Sequence, residues 1–186
     1  FVLANHRIER FQRIRKRADR INQSECGGLI AGDHGADIGG QLTGADGAVS
    51  GVSTDTRSIG AGQLFVALRG ERFDAHDFLD QAAANGATAM LVASIDKLPA
   101  GVSAVVVDDT RLALGRLAAA WRARFELPVI AVTGSNGKTT TKEMTACMLE
   151  HTYHTARTEG NHNNNIGLPM TILDMPDDTE TAVLEL

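Results

Sequence analysis

The spacing of apolar residues changes several times along the chain, and each change predicts an element. Over residues 1–23, Ile8, Phe11, Ile14, Ala18 and Ile21 recur at helical intervals among arginines. That spacing fits a basic amphipathic helix or a frayed, solvated tail. An organelle-targeting peptide is the sharper alternative, and Glu9 and Asp19 count against it. Residues 24–48 are rich in Gly and Asp without a clear period, which predicts loop with one short strand near Gln41-Leu42-Thr43.

From Val49 the signal sharpens. Val49–Ser53 and Leu64–Leu68 read as short strands. A helix is expected from Asp74 to about Asn85, with Phe78, Leu79, Ala82 and Ala83 on one face and Gly86 ending it. Thr88–Val92 and Ala104–Val107 are continuous apolar runs, as buried strands of an α/β sheet are. Thr110 is expected to cap a helix through about Phe125 that turns Leu112, Leu117, Ala120 and Trp121 inward. A buried strand at Val129–Val132 is followed by a Gly-rich loop and a helix from Thr139 to about His151. Met144, Cys147, Met148 and His151 form the apolar stripe of that helix, so Cys147 reads as a small core residue. A strand at Tyr153–Ala156, a loop at Asn161–Asn165, a helix at Ile166–Leu173 and a last strand within Ala182–Leu186 complete the pattern. The alternation predicts an α/β fold in about two domains.

Charge changes this picture at one end only. Residues 1–20 carry a net of +5 within a chain of net -5, so the remainder sums to -10 and the two stretches are expected to be separate units. An acidic whole excludes a generic nucleic-acid binder. The two cysteines, Cys26 and Cys147, make no disulfide framework, and a reducing cytosol suffices. No apolar run is long enough to span a bilayer. The chain starts at Phe1 and stops inside the apolar run ending at Leu186, so it reads as a piece of a longer protein.

The chemistry concentrates in Thr133-Gly134-Ser135-Asn136-Gly137-Lys138-Thr139-Thr140, between a strand and a helix. A phosphate tail needs many N–H donors and some positive charge. Gly134 and Gly137 let the backbone approach closely, with Ser135 and Asn136 between them. The following helix adds its free N–H groups and its dipole. Lys138 supplies the cation and Thr139 a hydroxyl for Mg²⁺. The loop is the short Gly-x-x-Gly-Lys-Thr form and lacks the glycine that the commoner spacing places further upstream.

Residues Ala131–Thr140 resemble the ATP loop of the Mur ligases, which build the peptide stem of bacterial peptidoglycan, and in that family the short loop is normal. Ser53-Thr54-Asp55-Thr56-Arg57 with Gly62–Gly70 is similar to the family's UDP-sugar-binding domain. Phe73–Phe78 and the Asn-rich Gly160–Thr171 resemble the member that adds D-alanyl-D-alanine. The final Val183–Leu186 looks like the strand whose glutamate helps hold Mg²⁺. The resemblance covers roughly residues 40–186 and fails at 1–35. Beside the basic tail that charge marks at 1–24, it implies a small α/β UDP-sugar-binding domain at 25–108 and a truncated phosphate-loop α/β ATP-binding domain with a mostly parallel sheet at 109–186. It also implies ATP and Mg²⁺, and UDP-N-acetylmuramoyl-tripeptide and D-alanyl-D-alanine as substrates in a bacterial cytoplasm. A C-terminal domain and a carbamylated lysine would lie outside this chain.

The residue types leave local alternatives open. Asp55 and Arg57 suit either a turn pair or, with Ser53 and Thr56, contacts to a uridine nucleotide. His76 belongs to the first turn of a helix that Asp74 could cap, or lies near the diphosphate or sugar. Asn161 and Asn164 are candidate ligand contacts, since an amide both donates and accepts, although loop asparagines need no ligand. His151, His154 and His162 match no strong zinc spacing. Glu185 inside an apolar strand is better explained as a Mg²⁺ ligand than as a plain strand carboxylate. The implied reaction activates a carboxylate with ATP as an acyl phosphate, with Lys138 against the developing charge. The competing readings are a sister ligase that adds another amino acid or a glutamate to folate, a non-catalytic nucleotide-binding module, and an unrelated phosphate-loop kinase or GTPase.

Overall fold

The structure is a computed structural model that describes residues 38–71, 73–160 and 162–186, together with the backbone of Leu29–Ile30. The basic segment at 1–23 and Cys26 lie outside the described residues.

The first unit is a five-stranded sheet. Its strands are β2 (Gln41–Thr43), β4 (Val52–Ser53), β5 (Leu64–Val66), β6 (Ala89–Val92) and β7 (Ser103–Val106), in the order β2-β7-β6-β5-β4. β4 to β7 run parallel and β2 joins antiparallel at the edge. A small antiparallel pair, β1 (Leu29–Ile30) with β3 (Ala48–Val49), stands apart from it. β5 and β6 are buried along their whole length, which is why they read as unbroken apolar runs. The run expected as one strand at Val49–Ser53 divides at Ser50 and Gly51. There Ser50 N–H donates to Gly62 O and Leu64 N–H to Gly51 O, and the chain passes between two pairings.

The helix expected from Asp74 opens as a 3₁₀ turn, Ala75–Phe78, before α1 (Leu79–Ala84). Phe78 was expected inside. The tighter turn buries Ala75 instead, and Phe78 stacks outside on Phe73 with ring centroids 5.2 Å apart. Gly86 ends the segment at φ 113°, a conformation that favours glycine.

The helix α2 (Thr110–Arg122) is capped by Asp109 and not by Thr110. The Asp109 carboxylate accepts from the N–H groups of Arg111 and Leu112 at 2.8 and 3.0 Å, and these bonds hold its pKa below the usual range. Thr110 is buried, and its hydroxyl donates to Ala67 O at the end of β5. The inward face is Thr110, Ala113, Leu114, Leu117 and Ala118. Leu112 stands 54% exposed, since a step of two residues carries a side chain about 200° around a helix from Leu114. Ala120 is half-buried. Ala113, Leu114 and Leu117 pack into one core with Val52, Leu64, Leu91 and Val105, so α2 is built onto the first sheet.

The second unit is a parallel sheet of β8 (Val129–Val132), β10 (Thr181–Glu185) and β9 (Thr155–Arg157), with β10 in the centre. α3 (Lys138–Glu150) connects β8 to β9, and α4 (Gly167–Leu173) precedes β10. The expected apolar stripe of α3 faces outward. Met144 and Met148 are 61% and 66% exposed, and Cys147 and His151 are exposed as well. Lys142 and Ala146 face inward instead. The physical reason is the polar demand beneath the helix, which Lys142 answers and a methionine could not.

α4 joins the two cores. Its Met170 and Leu173, with Ile166 just before it, pack against the core of the first sheet. Leu168 and Ile172 pack with Met175, Ala182 and Leu184 of the second. Among the described residues no helix is long and apolar enough to cross a membrane.

Candidate functional site

The phosphate loop leaves β8 at Val132 and turns twice through conformations that favour glycine. Gly134 has φ 144°, and Gly137, which opens α3, has φ 74°. Open space surrounds Gly137, so backbone conformation and not crowding demands glycine there. Ser135 and Asn136 are exposed between them, and Thr140 is exposed on the first turn of α3. The first N–H groups of a helix have no partner within it, so the turn from Lys138 presents donors to an anion. Lys138 curls back, and its Nζ donates to Gly134 O at 2.9 Å. This contact holds the ammonium over the loop.

A buried carboxylate lies beneath the loop. Glu185, at the C-terminal end of the central strand, is only 2% exposed. Its Oε1 accepts from Thr139 Oγ1 at 3.3 Å and from Asn163 Nδ2 at 3.0 Å. Its Oε2 is buried and accepts no hydrogen bond. A carboxylate oxygen without a donor is costly in such a place unless a cation completes it. A carboxylate and a hydroxyl side by side are hard oxygen donors of the kind Mg²⁺ takes, so this pair fits that ion.

Behind the carboxylate stands Lys142, fully buried, with Nζ 3.9 Å from Glu185 Oε2. Its Nζ donates to Thr158 O at 2.6 Å, and it pairs with Glu143 Oε1 at 3.0 Å. Thr158 closes the group, because its Oγ1 accepts the N–H of Glu185 at 3.0 Å.

The expected ligand groups of the first unit lie at the C-terminal ends of its parallel strands, where open α/β sheets hold ligands. Ser53 Oγ accepts from Asp55 N–H, and Arg57 grips the Asp55 carboxylate with Nε at 3.0 Å and Nη2 at 2.6 Å. The guanidinium pulls the Asp55 pKa down to about 2. Arg57 nevertheless remains 83% exposed, open to a ligand. Thr56 is tied to α1, its hydroxyl to Gln81 and its carbonyl to Asn85.

Two of the candidate ligand residues have partners within the fold. His76 is buried and both its ring nitrogens are engaged. Nε2 accepts the N–H of Ala93 at 2.9 Å, which puts the ring proton on Nδ1, where it is donated to Asp74 Oδ1 at 2.6 Å. The ring therefore fastens the 3₁₀ turn to the end of β6 and has no nitrogen left for a sugar or diphosphate. Asn164 uses its side-chain oxygen on the N–H groups of Ile166 and Gly167, at 3.0 and 2.8 Å, and so caps α4. Asn161 lies outside the described residues. The asparagine that reaches the carboxylate is Asn163, which sequence reasoning passed over along with Lys142 and Thr158. One signal was available for Lys142. It lies four residues after Lys138, on the same face of α3. Among the described residues no cluster of His, Cys, Asp and Glu suggests a further metal site.

Comparison with known proteins meets this geometry at both ends. The profile of the Mur ligase family, catalytic domain, matches residues 48–122, and that of the Mur ligase middle domain matches residues 132–186. The chain belongs to the Mur ligase family. It is 51% identical over 149 residues to the UDP-N-acetylmuramoyl-tripeptide–D-alanyl-D-alanine ligase of Escherichia coli (strain K12), covering 80% of this chain and 32% of that protein. It superposes on a crystal structure of MurF from Acinetobacter baumannii with a TM-score of 0.77 at 40% identity, over 86% of this chain and 36% of that one. The MurF ligase of Thermotoga maritima, solved in complex with ADP, matches with a TM-score of 0.65 at 36% identity, over 72% of this chain and 31% of that one. This Mur ligase chain spans about a third of the length of the curated relatives it matches.

Proposed function

We propose that this chain is the sugar-nucleotide- and ATP-binding portion of an ATP-dependent ligase that joins D-alanyl-D-alanine to UDP-N-acetylmuramoyl-tripeptide in the bacterial cytoplasm. The observation that carries the reading is the buried Glu185 carboxylate, which Thr139 of the phosphate loop and Asn163 of the Asn-rich loop meet on one oxygen while the other stays open. The packing of α2 on the first sheet supports moving the boundary between the proposed nucleotide-binding units from 108/109 to within 123–128.

A carboxylate is a poor electrophile, so amide formation needs it activated. In the proposed reaction the tripeptide carboxylate attacks the γ-phosphorus of ATP to give an acyl phosphate and ADP. The amine of D-alanyl-D-alanine then attacks the acyl carbon, and phosphate leaves. Lys138 and the first-turn N–H groups of α3 hold the phosphates in line and stabilise the growing negative charge. Gly134, Ser135, Asn136, Gly137 and Thr140 shape the cradle. Thr139 and Glu185 would hold Mg²⁺, which neutralises phosphate charge when bound. Ser53, Asp55, Thr56 and Arg57 take the uridine nucleotide, with Arg57 exchanging Asp55 for a phosphate.

The amine-binding and remaining catalytic parts are assigned to the two thirds of the relatives that this chain does not match. Residues 1–186 alone are therefore expected to bind nucleotide weakly and form no amide. ADP release that depends on D-alanyl-D-alanine, tested against single amino acids in the full ligase, separates this reading from a sister ligase. Amide formation by residues 1–186 would overturn the division of labour.

A further inference from the structure

Lys142 has no place in the chemistry above, yet it is the least expected residue of the second unit: a lysine with no exposed surface on the helix of the phosphate loop. Burying an ammonium is strongly unfavourable unless it is compensated. Here the compensation is specific. An ammonium has three N–H donors. Three acceptors surround Nζ: Thr158 O at 2.6 Å, Gly160 O at 3.4 Å and Glu143 Oε1 at 3.0 Å. Glu185 Oε2, at 3.9 Å, lies within the field of the charge but beyond hydrogen-bond reach.

That arrangement does two things together. The two carbonyls belong to the turn that leads into the Asn-rich loop, so the ammonium fixes the point from which Asn163 reaches Glu185. The Nζ stands 3.9 Å from Oε2 without a hydrogen bond to it, so a positive group lies beside the carboxylate while the lone pairs of Oε2 stay unused. A lysine directly bonded to Oε2 would compete with any cation there, and an apolar residue would leave a buried carboxylate without a counter-charge.

We propose that Lys142 is a positioning residue for the cation-binding carboxylate, anchoring the Thr158–Gly160 turn and holding Glu185 poised with one oxygen open. This deepens the ATP-site reading and rests on it where the cation is concerned. The loop-anchoring half stands on the contacts alone.

The test uses the 186-residue chain and two variants, Lys142→Met and Glu143→Ala. The second removes a half-exposed partner and leaves the core intact. It frees one ammonium N–H to turn to Oε2. Two readouts are taken: amide hydrogen exchange at His162–Asn165 against that of β10, and ADP affinity with and without Mg²⁺. For Lys142→Met, exchange at His162–Asn165 is expected to rise at least tenfold with β10 still protected. In both variants the gain in ADP affinity on adding Mg²⁺ should fall at least fivefold, while Mg²⁺-free affinity stays within about twofold. Unchanged exchange and an unchanged Mg²⁺ gain in folded Lys142→Met would overturn the proposal. If that variant does not fold, an unchanged Mg²⁺ gain in Glu143→Ala overturns it and a reduced gain supports it. Should the parent chain show no Mg²⁺-dependent binding, the ATP-site reading fails, and in that case loop exchange decides the role of Lys142: in Lys142→Met if it folds, otherwise a rise in Glu143→Ala supports the anchor and its absence overturns it.

Discussion

Polar groups at the strand ends of the two sheets are treated differently. In the five-stranded sheet they satisfy one another. Asp55 and Arg57 form a forked ion pair, Asp74 and Ala93 take both nitrogens of His76, and Asp109 closes the first turn of α2. In the three-stranded sheet the accounts stay open. Glu185 keeps a buried oxygen without a donor, and Lys138 rests on a backbone carbonyl of its own loop. The apolar surfaces differ in the same sense. α2 buries its leucines at 114 and 117, while α3 leaves Met144 and Met148 outside. A buried oxygen without a donor is where a cation has something to contribute, whereas an exposed ion pair such as Asp55–Arg57 offers a ligand only an exchange of partners.

The sharpest way to break the contrast is Lys138→Ala. Removing a preorganised positive charge from a phosphate site costs on the order of 10²–10³ in turnover, by analogy with loss of one transition-state donor. On the proposed function, kcat of the full-length protein should fall by that order with the melting temperature of the variant unchanged. Normal turnover would mean that the loop is not the ATP site.

Next in size is Leu114→Ala, which hollows the closed sheet. A cavity at a fully buried leucine costs about 2–5 kcal/mol, read as a lowered denaturant midpoint. A loss below about 1 kcal/mol would show that the first core is looser than its burial implies.

Gly137→Ala tests conformation without crowding. Forcing an L-residue to φ 74° costs about 1–2 kcal/mol. ADP affinity should fall with it, because the turn sets the donors of α3.

Acid titration sharpens the comparison from the scaffold side. The backbone N–H of His76, then its ring and Arg69, lower the Asp74 pKa from 3.8 to about 2. A depressed carboxylate stabilises the fold above its unfolded pKa, and that stability is lost as pH falls from about 4 to about 2. Asp74→Asn should flatten the acid limb of the stability curve across that window. An unchanged limb would remove Asp74 from the account.

The smallest expected effect is on the open side. Met144→Gln with Met148→Gln should change the stability of this chain by no more than about 0.5 kcal/mol per site, since both side chains already face out. A large loss would mean that the stripe is covered in solution.

The sequence was a good guide wherever one stretch of chain carried its own physics. The apolar runs of β6 and β7, the Gly-rich loop with glycines where φ turns positive, and the glutamate in an apolar strand could each be read from neighbours alone. Four matters were decided only by distant segments meeting. Asp109 took the cap because Thr110 was drawn to Ala67. His76 went to Asp74 and Ala93 because the end of β6 passes beside the 3₁₀ turn. α3 turned Lys142 inward because the carbonyls of Thr158 and Gly160 and the carboxylate of Glu185 lie under it. Asn163, and not Asn164, reached the carboxylate because Asn164 was already capping α4. Periodicity shows that a helix has two faces, but the partners across the sheet decide which face goes in. Those partners were as many as 43 residues away in the chain.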